Sequence, residues 1–280
     1  MIHETFLLKD SFDTIDGGEL ETYILDNYDD IDANRVRPAI VILPGGGYNF
    51  LSVREKEPFA VRFLAQGYHA FVLNYSLAPI RYPTQLIETA AAIAFIRSHS
   101  KEWHVDPNAI TVCGFSAGGH LAANISTMWN RPFLSDKLGV NSEALRPNAA
   151  ILAYPVITSG EFAHRYSFDC LIGDNPSVAL LAEVSLENTV GPHTPQTFLW
   201  HTVEDPVVPV ENSFLYADAL RKNNIPFEMH IFPNGRHGLG LCNYETASPG
   251  DTGACVPHTE QWFQLCCRWL ESIFPPNMGA

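Results

Sequence analysis

The sequence predicts an α/β fold with one open, mostly parallel sheet that is covered by helices on both faces. Short apolar runs alternate with longer helix-like runs along most of the 280 residues, and the apolar runs are continuous. Continuous apolar strands are typical of parallel sheets buried on both faces, and the alternation is typical of crossovers that connect parallel strands. A hydrophobic content of 46% provides for a sizeable core. Length alone also allows two smaller domains, but we expect a single domain over residues 1–280.

The first half of the chain supplies the start of this sheet. A strand-like segment, ELETYIL, lies in an edge region at 5–26, and the apolar run at 39–43 ends at a proline and three glycines. The further elements predicted here are helices at 57–66, 83–103 and 116–129, and strands at 68–75 and 109–115.

The second half continues the alternation with two interruptions. Residues 130–147 are predicted to be an irregular connection. Residues 157–196 are predicted to be an insertion that forms a small lid or pocket wall, with a helical piece near 176–183. The remaining predicted elements are strands at 149–153, 197–201 and 226–232, and helices at 210–222 and 259–273.

Charge and hydropathy exclude several classes of partner. The net charge is -14 and the basic residues are scattered singly, so the chain lacks the basic surface that binds nucleic acid or an anionic membrane. The first residues, MIHETFLLKDSFDTID, do not read as a secretion signal, and no run of apolar residues is long enough to span a bilayer. We therefore expect a cytoplasmic protein.

The six cysteines do not form a metal-binding pattern. They include no C-x-x-C pair and have no histidines at zinc-ligand spacing. We expect free thiols and no metal. The alternative is a disulfide between Cys242 and Cys255 that closes the polar loop between them.

Ser116 is the candidate nucleophile. It lies in GFSAG, at the point where the strand at 109–115 passes into the next helix. Gly114 and Gly118 leave room for a sharp turn that projects the hydroxyl above the ends of the strands. The alternative is an ordinary serine at a helix start, because this short pattern also arises by chance.

A serine nucleophile needs a base within hydrogen-bond reach, and the base needs a carboxylate to orient it. Glu204 and Asp205 follow the strand at 197–201, and His237 follows the next strand. The context DPVVP favours Asp205 over its neighbour. The chain order serine, acid, histidine is that of one known triad arrangement.

The other histidines fit a catalytic role less well. His201 and His230 fall within predicted strands, which do not suit a general base in a loop. His120 lies one turn into the helix after Ser116, and we interpret it as a structural residue.

An oxyanion hole requires backbone N–H donors near the nucleophile. The segment LPGGGY offers such donors, and we favour Gly46 and Gly47 together with the N–H of Ala117. A dinucleotide-binding turn would require a third glycine where the chain has Phe50.

Three polar or aromatic residues near these glycines are candidate pocket walls. They are Tyr48 and Asn49, directly after the glycines, and Tyr75 at a strand end. Each could equally be an ordinary packing residue.

The motifs LPGGGY, CGFSAGGHLAA, HTVEDPVVPVENS and GRHGLGL together resemble the α/β-hydrolase superfamily, specifically its small bacterial carboxylesterase branch, which is similar to acetyl-xylan and feruloyl esterase-like proteins. The resemblance runs from about residue 37 to 273. It implies an α/β-hydrolase fold and a serine hydrolase that forms an acyl-enzyme without metal or organic cofactor. Pro44 stands where many relatives have histidine, which leaves the N–H donors intact.

The resemblance implies hydrolysis of short-chain acyl esters, such as acetyl groups on sugars or xylo-oligosaccharides, so the expected partner is a small-molecule ester. The absence of a long apolar lid helix favours short acyl chains. The same triad also cleaves amide or other acyl bonds, as in an aminoacyl-peptidase or a formamidase. A non-catalytic binding module of this fold would have a broken triad, whereas Ser116, Asp205 and His237 are all present.

Overall fold

An eight-stranded sheet forms the centre of the computed structural model, which describes residues 1–275. The spatial order is β1-β2-β4-β3-β5-β6-β7-β8. Strand β2 pairs antiparallel with both β1 and β4, and the remaining pairs, from β4 through β3 to β8, are parallel. The strands are β1 Thr5–Leu7, β2 Glu19–Tyr23, β3 Arg37–Leu43, β4 His69–Asn74, β5 Val105–Phe115, β6 Ala149–Ala153, β7 Thr197–Thr202 and β8 Phe227–Phe232.

Helices cover both faces of this sheet. The α-helices of the described residues are α1 Glu57–Leu64, α2 Thr84–Ser98, α3 Ala117–Met128, α4 Pro132–Leu138, α5 Arg165–Ile172, α6 Val178–Glu183, α7 Glu211–Lys222, α8 Pro257–Glu260 and α9 Trp262–Ile273. One core lies between the sheet and α2, α3 and α7, and a second lies between the sheet and α1 and α9. The predicted α/β-hydrolase architecture, with a mostly parallel sheet covered on both faces, is confirmed.

Strand β3 shows why its apolar run is continuous. Val41 and Leu43 point into the core under α2 and α3, whereas Ile40 and Ile42 point into the core under α1 and α9. Successive side chains of a strand face opposite sides, so a strand buried on both faces needs apolar residues at every position.

The packing of α3 against the sheet depends on two glycines. A Cβ on Gly114 would lie 2.1 Å from the carbonyl oxygen of Gly118, and a Cβ on Gly118 would lie 2.0 Å from the carbonyl oxygen of Leu43. Any side chain at these positions would push the helix away from β3 and β5. The glycines therefore set how closely Ser116 sits above the strand ends.

Several predicted boundaries differ from the structure. The prediction of an irregular connection at 130–147 was wrong, because α4 lies there with Pro132 in its first turn, two buried leucines and the left-handed Gly139 at its end. Helix α2 ends at Ser98, five residues before the predicted end, and β5 begins four residues earlier than predicted, because Val105 pairs with Arg37.

The segment 157–196 holds α5, α6 and a short 3-10 turn at Leu186–Asn188. Helix α6 corresponds to the predicted helical piece, whereas α5 was not predicted. All six cysteines are free thiols, as predicted, with Cys242 buried and Cys255 exposed. Among the helices of residues 1–275, none is long and apolar enough to cross a bilayer.

Candidate active site

Ser116 occupies the sharp turn between β5 and α3. Its backbone has φ 53° and ψ -116°, a conformation that non-glycine residues rarely adopt. Hydrogen bonds hold the turn: the Ser116 N–H donates to Ala153 O at 3.0 Å, and its carbonyl accepts from the N–H groups of His120 and Val156. The surrounding structure thus maintains a strained conformation that raises the hydroxyl above the sheet.

Three predicted residues meet at this turn. His237 Nε2 lies 2.7 Å from Ser116 Oγ, and His237 Nδ1 lies 2.6 Å from Asp205 Oδ2. A carboxylate can only accept, so Nδ1 carries the proton and Nε2 is free to accept from the serine hydroxyl. This is the arrangement that a general base requires.

Asp205 is held by more than its bond to His237. Its side chain is buried, and its Oδ1 accepts from the N–H groups of Val207 and Val208, each at 2.9 Å. Burial by itself raises the pKa of Asp205, but hydrogen bonds from His201 and His237 and the Val208 N–H outweigh it, so the pKa lies below its ordinary value. The acid is therefore ionised at neutral pH.

His201 is a residue that the sequence analysis set aside. Its Nε2 lies 3.2 Å from Asp205 Oδ2 and 3.0 Å from Val208 O, and its Nδ1 lies 2.8 Å from the Ser213 hydroxyl. His201 and His237 therefore both contact Oδ2 of Asp205. The position of His201 near the end of β7, four residues before Asp205, is the sequence signal that could have identified it.

Glu204, the competing acid, faces elsewhere. Its Oε1 accepts from Asn234 Nδ2 at 2.9 Å in an exposed contact. Asp205 is therefore the carboxylate that contacts the imidazole of His237.

Free N–H donors lie beside Ser116. Within the described residues 1–275, the N–H groups of Gly46, Gly47 and Ala117 have no protein acceptor, whereas the Gly45 N–H donates to Glu55 Oε2 at 2.8 Å. Gly46 and Gly47 have φ of 127° and 65°, which glycine adopts without strain. These donors are the groups from which an oxyanion hole is built.

A cavity of about 320 Å³ opens over the serine. Its lining comes from several separate loops and one helix: Gly46, Gly47, Phe50, Ser52, Arg54, Glu55, Ser116, His164, Tyr166, Val207, Arg236, His237 and Gly238. A larger depression of about 760 Å³ lies at the opposite ends of the parallel strands, and neither Ser116 nor His237 borders it.

The predicted pocket walls lie outside this lining. Tyr48 is buried with its hydroxyl 2.8 Å from His120 Nδ1, and the Tyr75 hydroxyl donates to Pro44 O. Tyr48 has φ 60°, which turns its side chain toward α3 and away from the cavity. Asn49 is exposed. The structure therefore places these three residues behind or beside the cavity.

The aromatic side chains on the lining are Phe50 and Tyr166, both about half exposed. Phe50 lies in the loop after β3 and Tyr166 lies in α5. No sequence pattern indicates that these two segments meet. His120, by contrast, is buried and has both ring nitrogens hydrogen-bonded, to Tyr48 and to Val184 O at 2.8 Å. It lies outside the cavity lining, in keeping with its interpretation as a structural residue.

Comparisons with known proteins agree with this fold. The BD-FAE family profile matches residues 25–220. The chain is 38% identical over 218 residues to endo-1,4-beta-xylanase B of Butyrivibrio fibrisolvens, covering 75% of this chain and 33% of that protein. It is 32% identical over 248 residues to an acetylxylan esterase of Xylanibacter ruminicola, covering 86% and 47%. The chain thus spans less than half the length of these two relatives.

Two solved structures cover nearly the whole chain. An acetyl ester-xyloside bifunctional hydrolase from Caldicellulosiruptor lactoaceticus is 39% identical, with a TM-score of 0.82 and coverage of 97% of this chain and 96% of that one. A carboxylesterase from Lactobacillus plantarum is 30% identical, with a TM-score of 0.85 and 98% coverage of both chains. The chain therefore belongs to the BD-FAE family and, like these esterases, to the α/β-hydrolase superfamily.

Proposed function

We propose that the chain is a serine carboxylesterase that hydrolyses short-chain acyl esters, including acetyl esters of sugars or xylo-oligosaccharides. The observation that carries the proposal is the continuous hydrogen-bonded path from Ser116 Oγ through His237 to Asp205, with distances of 2.7 and 2.6 Å, at the floor of an open cavity. A serine that only begins a helix is not expected to contact a histidine that a buried carboxylate orients.

The first half of the reaction forms an acyl-enzyme. His237 Nε2 takes the proton from Ser116 Oγ as this oxygen attacks the ester carbonyl carbon. Asp205 stabilises the imidazolium that results. The tetrahedral intermediate collapses when the C–O bond to the alcohol breaks, and His237 returns the proton to the leaving oxygen.

The second half releases the acid. A water molecule gives a proton to His237 Nε2 and attacks the acyl carbon, and the proton then returns to Ser116 Oγ as the carboxylic acid leaves. In both halves the carbonyl oxygen becomes negatively charged. The N–H groups of Gly46, Gly47 and Ala117 are the donors that we assign to this charge, because they are free and surround the serine turn.

The size of the cavity supports a short acyl group. A volume of about 320 Å³ is at the small end of the range for ligand sites, and Gly46 and Gly47 bring no side chain into it. Phe50 and Tyr166 offer exposed ring faces at the cavity for the alcohol part of the substrate. The segment 157–196 contributes His164 and Tyr166, so we propose that it forms one wall of the pocket.

A matched substrate panel tests this assignment. We expect p-nitrophenyl acetate and acetylated xylo-oligosaccharides to give a higher kcat/KM than p-nitrophenyl butyrate, p-nitrophenyl octanoate or methyl ferulate. An aminoacyl-p-nitroanilide included in the panel reports amide cleavage. If the anilide or the octanoate gives the highest kcat/KM, the proposed substrate class is wrong.

A further inference from the structure

One residue of the cavity lining, Glu55, is a buried carboxylate with no part in the proposed reaction steps. Glu55 ends the short 3-10 turn Val53–Glu55 before α1 and is 2% exposed. Its Oε2 accepts from the Gly45 N–H at 2.8 Å, and its Oε1 accepts from the Tyr154 hydroxyl at 2.7 Å. Burying a carboxylate costs free energy unless hydrogen-bond donors contact it. A buried carboxylate at this cavity is therefore a candidate for a functional role.

The first contact fixes the loop that carries the proposed oxyanion donors. A Cβ on Gly45 would lie 2.9 Å from Glu55 Oε2, 2.8 Å from Phe115 O and 3.0 Å from Ser116 Cβ. Gly45 is therefore packed between the carboxylate and the nucleophile turn. Its N–H is occupied by Glu55, and the free N–H groups of Gly46 and Gly47 come next in the chain.

The second contact connects Glu55, through Tyr154, to the proposed base His237. Tyr154 directly follows β6, is buried, and has φ 38°. Its hydroxyl oxygen accepts from the Gly240 N–H at 3.2 Å, three residues after His237. Its ring packs edge-on against the His237 ring, with centroids 5.1 Å apart and planes at 72°. Tyr154 thus contacts both the imidazole and the loop that carries it.

We propose that Glu55 is a positioning residue which, through Tyr154, holds the oxyanion loop and the histidine loop in one fixed arrangement around Ser116. The inference rests on the proposed esterase function. One carboxylate joins two loops that are distant in sequence, and each loop supplies a different part of the catalytic machinery. A shift of either loop would misalign donors or base in the transition state.

Burial raises the pKa of the Glu55 carboxyl above its ordinary value, and the hydrogen bonds from the Tyr154 hydroxyl and the Gly45 N–H offset part of this rise. The two contacts that join the loops are therefore also the contacts that favour the charged carboxylate.

A purely structural role predicts different kinetics. A carboxylate that only stabilises the fold would lower the free energy of unfolding when replaced, while each folded molecule kept its kcat. A positioning residue lowers kcat with little change in KM, because the misalignment matters most in the transition state. It also weakens an inhibitor that mimics the oxyanion, such as a trifluoromethyl ketone.

The variants are Glu55→Gln, Tyr154→Phe and the double variant, with Glu88→Gln as the matched control. Glu88 is fully buried and accepts from the Ser76 N–H at 2.7 Å and from the Ser76 hydroxyl, but it does not line the catalytic cavity. Each variant is measured with p-nitrophenyl acetate after the concentration of active sites is determined by fluorophosphonate titration, and its unfolding is followed in urea.

We expect Glu55→Gln and Tyr154→Phe each to lower kcat by about 10-fold to 100-fold with little change in KM. The inhibition constant of the trifluoromethyl ketone should rise in parallel, and the double variant should lose little more than the worse single variant, because the two residues act as one unit. Glu88→Gln should lose stability and keep kcat. If Glu55→Gln does not fold, Tyr154→Phe carries the test, since it keeps the ring.

Wild type and Ser116→Ala in the same assay separate this inference from the proposed function. Absence of Ser116-dependent turnover in the wild type would overturn both. Ser116-dependent turnover together with wild-type kcat and inhibitor affinity in the folded Glu55 and Tyr154 variants would overturn the positioning role alone.

Discussion

His237 Nδ1 lies 2.6 Å from Asp205 Oδ2, and the other oxygen of that carboxylate is fixed by two backbone N–H groups. The imidazole orientation is therefore tied to the backbone of the loop after β7 and not to a freely rotating side chain. A serine hydrolase needs this rigidity, because its histidine must present one nitrogen to the nucleophile and keep the proton on the other.

Replacing Asp205 tests this orientation. In Asp205→Asn the amide group can donate to His237, which favours the tautomer that carries its proton on Nε2, the nitrogen facing Ser116. We expect kcat for p-nitrophenyl acetate to fall by about 10⁴-fold, the size of the effect for the equivalent change in a serine protease. Glu204→Gln is the matched control and should stay close to wild type, because Glu204 contacts Asn234 and not the imidazole. Equal losses in the two variants would contradict the assignment of the acid.

Gly118→Ala tests the close approach of α3 to the sheet. Its Cβ would lie 2.0 Å from Leu43 O, a backbone atom that cannot move alone. We expect the free energy of unfolding in urea to fall by about 3 kcal/mol. Gly253→Ala is the control, because its Cβ meets only Asp251 Oδ1 at 3.5 Å, and it should change stability by about 0.5 kcal/mol or less. An equally mild effect at both positions would show that the helix adjusts without cost.

The buried His120 predicts acid sensitivity of the fold. Burial lowers its pKa from 6.5 to about 4. Between these pH values the unfolded chain binds a proton that the folded chain excludes, so stability is complete above about pH 6.5 and falls as the pH drops toward 4. The loss attributable to this residue is about 3 kcal/mol over that window. His69 adds a second loss of the same sign, since burial also lowers its pKa to about 4.

Unfolding in urea at several pH values between 7 and 4.5 measures this contribution. The His120→Gln variant should show a shallower dependence of the free energy of unfolding on pH than the wild type, whatever its stability at neutral pH. The prediction concerns the slope, so a general loss of packing does not imitate it. Identical slopes for the two proteins would mean that His120 does not exclude the proton.

The sequence was sufficient to predict the parts of the site that lie at the ends of strands. Parallel strands place their carboxyl ends at one edge of the sheet, so Ser116, Asp205 and His237 were expected to meet there, and they do. An apolar run in the sequence precedes each of these ends, and glycines flank Ser116 and His237. The positions of these three residues follow from the order and direction of the strands, which local sequence patterns predict.

The direction of side chains in loops was not predictable in the same way. Tyr48 follows three glycines and was predicted to be a pocket wall, but its positive φ turns it toward His120. No sequence pattern marks Glu55, because its partners Gly45 and Tyr154 are joined to it only by the folded chain. Such contacts depend on tertiary packing and leave no periodic signal.

The most direct test of the account is turnover of p-nitrophenyl acetate by the wild type and by Ser116→Ala, with fluorophosphonate labelling of both proteins followed by mass spectrometry of the labelled peptide. We expect one label per wild-type chain on Ser116, no label on the variant, and a loss of about 10⁶-fold in kcat on substitution. A variant that retains wild-type turnover, or a label on another residue, would contradict the assignment of Ser116 as the nucleophile.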